Sequence, residues 1–478
     1  MSDTKKTTGK KPSKLIIAVA AILVLALIAG SFVINSDYFY TGTSAITIGD
    51  TEYTAAEFNY FYYSAFNQFY SGLGDYASQI IDTSKSLKDQ FYTEGESFHD
   101  YFVEAAKTQM VEVTAAYNAA QATGLKLTAE QLEGIQEDLS NVELYAMIYG
   151  SGLTTDQYLA KSYGRGMTLE LLEELLNKIY LASAYYAVQV DSYEYTEEEL
   201  KAAYAENKDS YDIFTYNVVY LANNDDAEAA YAAADAIATA KDAEEFAQLV
   251  RDNVPEAQKA AYAEDESTLY TMAGMNLVSY EDYASWLMDS TRRSGDTTVI
   301  ESSSGQGYYV LRFVERENNN YNTVSMRHVL INVALDAEGK VTDEAKAEAL
   351  AKIEEIRQEY MDGPRTEASF AELANKYSED GGSNTVGGLY ERIAKGQMVK
   401  PVNDFLFLPR RAAGDIEIVY EENANYTGYH LLYFVDRNEL YSDLIADSSL
   451  RAIDYDKWLT GQEASYTITE NYSMKFVG

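Results

Sequence analysis

"FLFLPRRAAGDIEIVYEENANYTGYHLLYFVDRNE", residues 405–439, repeats in outline an earlier stretch, "WLMDSTRRSGDTTVIESSSGQGYYVLRFVEREN", residues 286–318. Both run through an arginine pair, Gly-Asp, a strand, a turn, Gly-Tyr, and a second strand ending in an acid and an arginine. Upstream, "FTYNVVYLAN" (214–223) parallels "VSMRHVLINV" (324–333). Between these strands lie helical stretches: "DAEEFAQLV" (242–250) in the first copy and "EASFAELANKY" (367–377) in the second. The pattern predicts two copies of one strand–helices–strand–strand unit, each about 110 residues long.

The copies differ at two telling positions. The second has His328 and His430, where the first has Val218 and Tyr309, in a chain with three histidines altogether. Side chains alternate along a strand. His328 therefore shares a face with Met326 and Leu330, and His430 with Leu432 and Phe434. If the two strands are antiparallel neighbours, the imidazoles meet in apolar surroundings. A hydrogen-bonded structural pair is the plain reading. A metal site lacks a third ligand at a telling spacing, so no metal is expected. There is no G-x-S-x-G elbow for a serine hydrolase. The glycines of "GGSNTVGG" (381–388) do not fit the dinucleotide pattern.

Composition narrows the functional classes. With 76 acidic and 37 basic residues the net charge is −39, which repels phosphate backbones and excludes nucleic acid as a partner. Cysteine is absent, so there is no disulfide framework and no thiolate nucleophile. A chain of 478 residues is too long for one ordinary domain. At the N-terminus, Lys5, Lys6, Lys10, Lys11 and Lys14 precede an uncharged run of twenty residues, Leu15–Ile34. That length spans a bilayer as a helix, and the lysines orient residues 1–14 toward the cytoplasm. A cleaved signal peptide is the rival reading, against a longer apolar core and no clean A-x-A site. The expectation is a single-pass cell-membrane protein with the bulk of the chain outside.

From Ala55 to about residue 205 apolar residues recur at helical spacing, with threonine caps before "AEQLEGIQEDL" and "EEELKAAYAENKDSY". His99 falls in one of these helices as an ordinary boundary residue. The strand-like "SAITIG" (44–49) precedes this module, and "ASYTITENYSMKFVG" (464–478) is expected to return and pair with it. In the second repeat, Ala345, Ala349, Ile353, Ile356 and Tyr360 form one helical stripe, capped by Thr342 and ended by Gly363. The Asn425 and Asn471 glycosylation acceptor patterns are read as chance matches.

Residues 323–437 resemble the parvulin-type peptidyl-prolyl cis-trans isomerases. The motifs are "RHVLI", "FAELANKYSED", "GGLY", "AKGQM" and "GYHLLYF", in that order. More broadly, the chain is similar to the membrane-anchored extracytoplasmic foldases of the SurA/PrsA type. The implied fold is α+β. It comprises a cytoplasmic tail (1–14), a transmembrane anchor (15–34), a helical chaperone module (37–205), a degenerate parvulin-like domain (206–318), a parvulin domain (319–437) and a C-terminal helix and strand (438–478) returning to the chaperone module.

The resemblance places the family's paired histidines on His328 and His430, its acidic position on Asp380 and its hydroxyl on Thr427. It places the prolyl pocket on Leu389 and Met398. Val402 stands where the family has Phe, with Phe405 or Phe407 available to refill that wall. The loop from Leu389 to Met398 is one residue longer than usual. The implied activity is isomerisation of X-Pro bonds in unfolded or partly folded exported polypeptides, with no cofactor and a homodimer possible. The alternative is a non-catalytic holdase gripping unfolded clients. A sensor or adhesin built on similar domains is a third, remoter class.

Overall fold

The computed structural model describes residues 37–224, 226–254, 259, 270–274, 281–337, 339–423 and 426–478. The expected tail and anchor, residues 1–34, lie outside the described residues, as does Asn425. Among the described residues no helix is long and apolar enough to cross a membrane. The chain forms two compact units: residues up to Glu194 together with Arg451–Gly478, and Tyr195–Leu450.

The first unit begins with a hairpin of β1 (Ser44–Ile48) and β2 (Thr51–Thr54), turning at Gly49, whose φ of +60° favours glycine. Strand Ile468–Glu470 adds to the other edge of β1, with Ile46 opposite Glu470 and Ile48 opposite Ile468. A two-stranded ribbon, β3 (Phe91–Thr93) and β4 (Glu96–Ser97), leads into the longest helix. The helices start at side-chain caps that satisfy their first amides. Thr54 and Glu57 box helix Ala55–Gly72, and Ser97 and Asp100 box helix Phe98–Thr123. Thr128 and Gln131 do the same for Ala129–Tyr149. Gly124, left-handed at φ 73°, ends the 26-residue helix. Phe58, Tyr62, Phe102, Met110 and Leu175 fill the core between these helices. His99 packs at its edge, with Nδ1 3.2 Å from the Tyr62 hydroxyl.

The second unit holds the two repeats, each a four-stranded antiparallel sheet. The first comprises β5 (Ile213–Ala222), β6 (Tyr270–Gly274), β7 (Thr297–Glu301) and β8 (Gly307–Glu317), ordered β6-β5-β8-β7. The second comprises β9 (Asn322–Asn332), β10 (Leu389–Ile393), β11 (Ile416–Glu422) and β12 (Thr427–Leu440), ordered β10-β9-β12-β11. The registers coincide: Val218 lies opposite Leu311 and Tyr220 opposite Tyr309, just as His328 lies opposite Leu432 and Leu330 opposite His430.

One face of the second sheet, lined by Val329, Ile331, Leu431 and Tyr433, packs on Ile353, Ile356, Phe370 and Leu373 of helices Asp343–Asp362 and Glu367–Tyr377. The caps on the first of these helices are Thr342 and Gly363. The other face, lined by Val324, Met326, Leu432 and Phe434, packs on Val402, Phe405 and Leu406 of helix Lys400–Leu406. Even-numbered residues of β9, and of β12 as far as Phe434, therefore share the face that bears the imidazoles.

Helix Glu197–Glu206, which the sequence places with the chaperone module, clusters with the second unit. Its Tyr204 hydroxyl donates to Asp212 at 2.8 Å, and the Asn319 amide donates to Tyr204 at 3.0 Å. These bonds tie the helix to the residue before β5 and to the connection between β8 and β9.

Candidate functional site

His328 and His430 face each other across adjacent strands, Nδ1 to Nδ1 at 3.2 Å, with rings stacked 16° from parallel. Both are buried, at 6 and 5% exposure. Asp380 reaches them from the loop after helix Glu367–Tyr377. That loop is pinned to β9 by backbone: the Glu379 amide donates to the Leu330 carbonyl at 2.8 Å, and the Leu330 amide donates to the Ser378 hydroxyl at 3.1 Å. The Asp380 carboxylate then lies 2.8 Å from His328 Nε2.

Farther along, Gly387 and Gly388 are both left-handed, at φ 73° and 68°. They let the chain fold back so that the Gly388 carbonyl accepts the His328 amide at 2.9 Å. A Cβ at Gly388 would lie 2.1 Å from the His328 carbonyl oxygen, so no other residue fits this approach.

With a single proton on each imidazole, the acceptor-only carboxylate sets the polarity of the hydrogen-bond network. A carboxylate only accepts, so His328 Nε2 carries the proton toward Asp380. A neutral His328 then accepts at Nδ1, so His430 donates from Nδ1 and accepts at Nε2. The Tyr426 hydroxyl, 3.0 Å from His430 Nε2, must donate. The result is one directed chain: Tyr426 to His430 to His328 to Asp380. Ser383, 1% exposed, and Tyr390 also donate to the same Asp380 oxygen, the latter at 3.0 Å, and the Gly382 amide donates to the other oxygen at 3.2 Å.

These donors have electrostatic consequences. The hydrogen bond from His328, helped by those from Ser383, Gly382 and Tyr390, holds the Asp380 carboxyl far below the usual carboxylate range, against the opposing effect of burial. Burial, reinforced by His328, pushes His430 down to about 4 despite the opposing pull of Asp380. A charged Asp380 carboxylate beside a neutral His430 is thus the resting state near neutral pH. Among the described residues no cluster of three or more histidine, aspartate or glutamate side chains is arranged to hold a metal ion.

Next to the chain of donors lies an apolar cluster. Met398 and Phe407 are partly buried members, and Val402 and Phe405 are buried at 2 and 3% exposure. The partly exposed wall is made by Tyr390, Met398, Phe407 and Val419. Tyr390 stands edge-on to His328, with ring centroids 5.3 Å apart.

Two sequence assignments need correction. Leu389 lies opposite Arg327, whose side chain runs to Glu367 of the packing helix, so Leu389 belongs to the other face. Tyr390, opposite Met326, is the residue that enters the cluster. The extra residue between Leu389 and Met398 is accommodated as a bulge in β10: the three-residue step from Tyr390 to Ile393 lies opposite the two-residue step from Met326 to Val324, and Arg392 takes a left-handed φ of 54°. Thr427 is three residues from His430, and that odd step turns its side chain away with Tyr429 and Leu431; its carbonyl accepts the Val333 amide at 2.8 Å. Tyr426, an even four residues from His430, supplies the hydroxyl instead. Ser383, Tyr390 and Tyr426 were not singled out from the sequence, although the even spacing of Tyr426 is a usable signal.

In the first repeat the same face is aromatic. Tyr309, in the place of His430, packs 4.9 Å from Tyr220 and 5.2 Å from Tyr283, and the Tyr216 and Tyr283 hydroxyls lie 3.4 Å apart. Val218, in the place of His328, borders the same cluster.

Comparison with known proteins agrees with this duplication. Residues 195–324 and residues 308–438 each match a family model described as the PPIC-type PPIASE domain. The chain belongs to the parvulin family. This parvulin is 35% identical over 98 residues to a protein named Chaperone SurA from Saccharophagus degradans, an alignment covering 20% of each chain. It therefore spans about a fifth of the length of that curated relative.

Among solved structures, the parvulin is similar to the foldase protein PrsA from Streptococcus pneumoniae at 17% identity, covering 48% of this chain and 78% of that one, with a TM-score of 0.24. It is also similar to the peptidylprolyl isomerase PrsA from Bacillus cereus at 13% identity, covering 82 and 97% of the two chains, with a TM-score of 0.20. The fold of this parvulin rests on its strand order and register rather than on those superpositions.

Proposed function

We propose that the protein is a membrane-anchored extracytoplasmic foldase whose second parvulin domain isomerises X-Pro bonds in exported polypeptides. The observation that carries this reading is the directed chain Tyr426–His430–His328–Asp380 beside the wall of Tyr390, Met398 and Phe407. Rotation about X-Pro meets a barrier of roughly 18–20 kcal/mol from amide resonance. No bond breaks, so neither a nucleophile nor a cofactor is needed. The apolar wall holds the prolyl ring, and fixed donors and a fixed negative charge beside it favour the twisted amide with its altered charge distribution. The single-pass anchor at residues 15–34 and the location outside the cytoplasm are supported by the lysine-flanked apolar run.

The test is isomerisation of a short X-Pro peptide by the full chain. His328→Ala and Asp380→Ala should each lower the rate. Unchanged rates in both, with the fold intact by circular dichroism, would overturn the assignment.

A second reading is favoured by the first domain, where Val218 and Tyr309 replace the imidazoles and border an aromatic cluster. That domain is a binding module for unfolded clients, in the manner of a holdase. Full-length protein with both histidines substituted should then still suppress client aggregation. Loss of suppression together with loss of isomerisation would sink this second reading.

A further inference from the structure

In the sequence the apolar run ends at Ile34, and the described chain begins at Asp37, with only Asn35 and Ser36 between. Each residue spans at most about 3.6 Å, so Asp37 lies within roughly 10 Å of the bilayer surface if the run is embedded. The surface around Asp37 has a definite composition. Tyr38 and Tyr472 are 51 and 65% exposed, large values for tyrosine. Both border a ring cluster: Tyr38 meets Phe39 at 5.4 Å, Phe39 meets Tyr472 at 5.9 Å and Phe476 at 5.3 Å, and Tyr40 meets Phe476 at 5.3 Å.

Two cations are mounted on these rings. Arg165 lies over Tyr40 at 5.3 Å and pairs with Asp37 at 2.6 Å; Lys475 lies over Tyr472 at 3.4 Å. The two cations are notable in a chain of charge −39. Tyrosine rings with polar tips, interleaved with lysine and arginine, are the chemistry of a membrane interface: the rings settle at headgroup depth and the cations meet phosphate.

We propose that the surface formed by Tyr38, Arg165, Tyr472 and Lys475 rests in the phospholipid headgroup layer and sets the first unit against the membrane. This rests on the anchor proposed for residues 15–34. It goes beyond tethering, because it assigns a second, folded contact to which Arg165, Tyr472 and Lys475 come from more than a hundred positions away in sequence. The ion pair from Asp37 to Arg165 and the ring contacts from Phe39 and Tyr40 to Phe476 join the exit of the anchor to that surface. The anchor then enters a docked face rather than a free tether.

The absence of cysteine makes the test clean. Single-cysteine variants Tyr472→Cys and Lys126→Cys of the full chain carry a polarity-sensitive fluorophore and are reconstituted into phosphatidylcholine vesicles doped with headgroup-nitroxide phosphatidylcholine. Lys126 lies just beyond helix Phe98–Thr123, whose 26 residues extend about 39 Å from the end that bears His99. The label at 472 should lose emission to the nitroxide while the label at 126 keeps it.

If the protein floats with the vesicles and the label at 472 keeps its emission, the docked face is refuted and the anchor survives. Shielding of that label from aqueous iodide without nitroxide quenching would assign the surface to a protein partner and also refute it. If the protein fails to float at all, the anchor reading itself falls and takes this inference with it. Tyr472→Ser combined with Lys475→Glu should restore emission from a label at Tyr38→Cys in the same vesicles.

Discussion

Lowering the pH from about 7 to 4 should leave His430 uncharged until the bottom of that range, and with only three histidines in the chain this can be observed directly. The burial of His430, with His328 against it, pushes its titration from the ordinary 6.5 to about 4. That displacement corresponds to on the order of 3 kcal/mol. Because the folded value lies below the unfolded one, the stability contributed by the neutral ring is complete above pH 6.5 and drains away as the pH falls toward 4. Asp380, also lowered, keeps its charge through this window and so does not mask the effect.

The assay is histidine-selective nitrogen-15 NMR on the full chain, with assignment by His99→Gln and His430→Gln. His430 should show the Nδ1-protonated tautomer and His328 the Nε2-protonated one, and the His430 signal should not move until well below pH 6. Denaturant melts should show the stability gap between wild type and His430→Gln shrinking by about 3 kcal/mol over the same range. A His430 titrating near 6.5, or protonated at Nε2, would refute the directed chain from Tyr426 to Asp380.

Gly388→Ala should destabilise the second parvulin domain by about 3 kcal/mol, since the added methyl meets the His328 carbonyl and the backbone is left-handed there; denaturant melts measure it, and a loss below about 1 kcal/mol would contradict the close approach. Val402→Phe, which restores the usual parvulin residue, should destabilise by about 1–3 kcal/mol rather than deepen a pocket, because Val402 is only 2% exposed. Tyr390→Phe should lose roughly 1–2 kcal/mol with the Asp380 hydrogen bond, whereas Tyr390→Ala should raise KM for an X-Pro peptide more than it lowers kcat.

What the sequence made legible was the part governed by period. Alternation put each of His328 and His430 on an apolar face of its own strand, and the antiparallel register of β9 and β12 made those faces one. The duplication was readable because both copies keep strand and turn residues while exchanging the site residues. What stayed hidden was set by turns. Whether Leu389 or Tyr390 enters the cluster depends on two left-handed glycines just before β10, and no hydrophobic period reports that. Ser383 lies in a loop, where side-chain direction has no period at all. Thr427 stands next to the Gly-Tyr-His motif, yet its odd spacing from His430 puts it on the opposite face of β12. The apolar residues around the site illustrate a related limit. Met398 and Phe405 both read as pocket, yet Phe405 is 3% exposed and belongs to the core beneath it.

The pairing of β1 with Ile468–Glu470 has a consequence for synthesis. More than four hundred residues separate the two strands, including both parvulin domains. At roughly 5–20 residues per second, on the order of 20–80 s pass between their appearances at the ribosome. Throughout that interval one edge of β1 lacks its partner, while the later-made repeats, each with a complete sheet of its own, can already fold. A protein proposed to assist unfolded chains is thus itself, for most of its synthesis, an incomplete chain with an open strand edge.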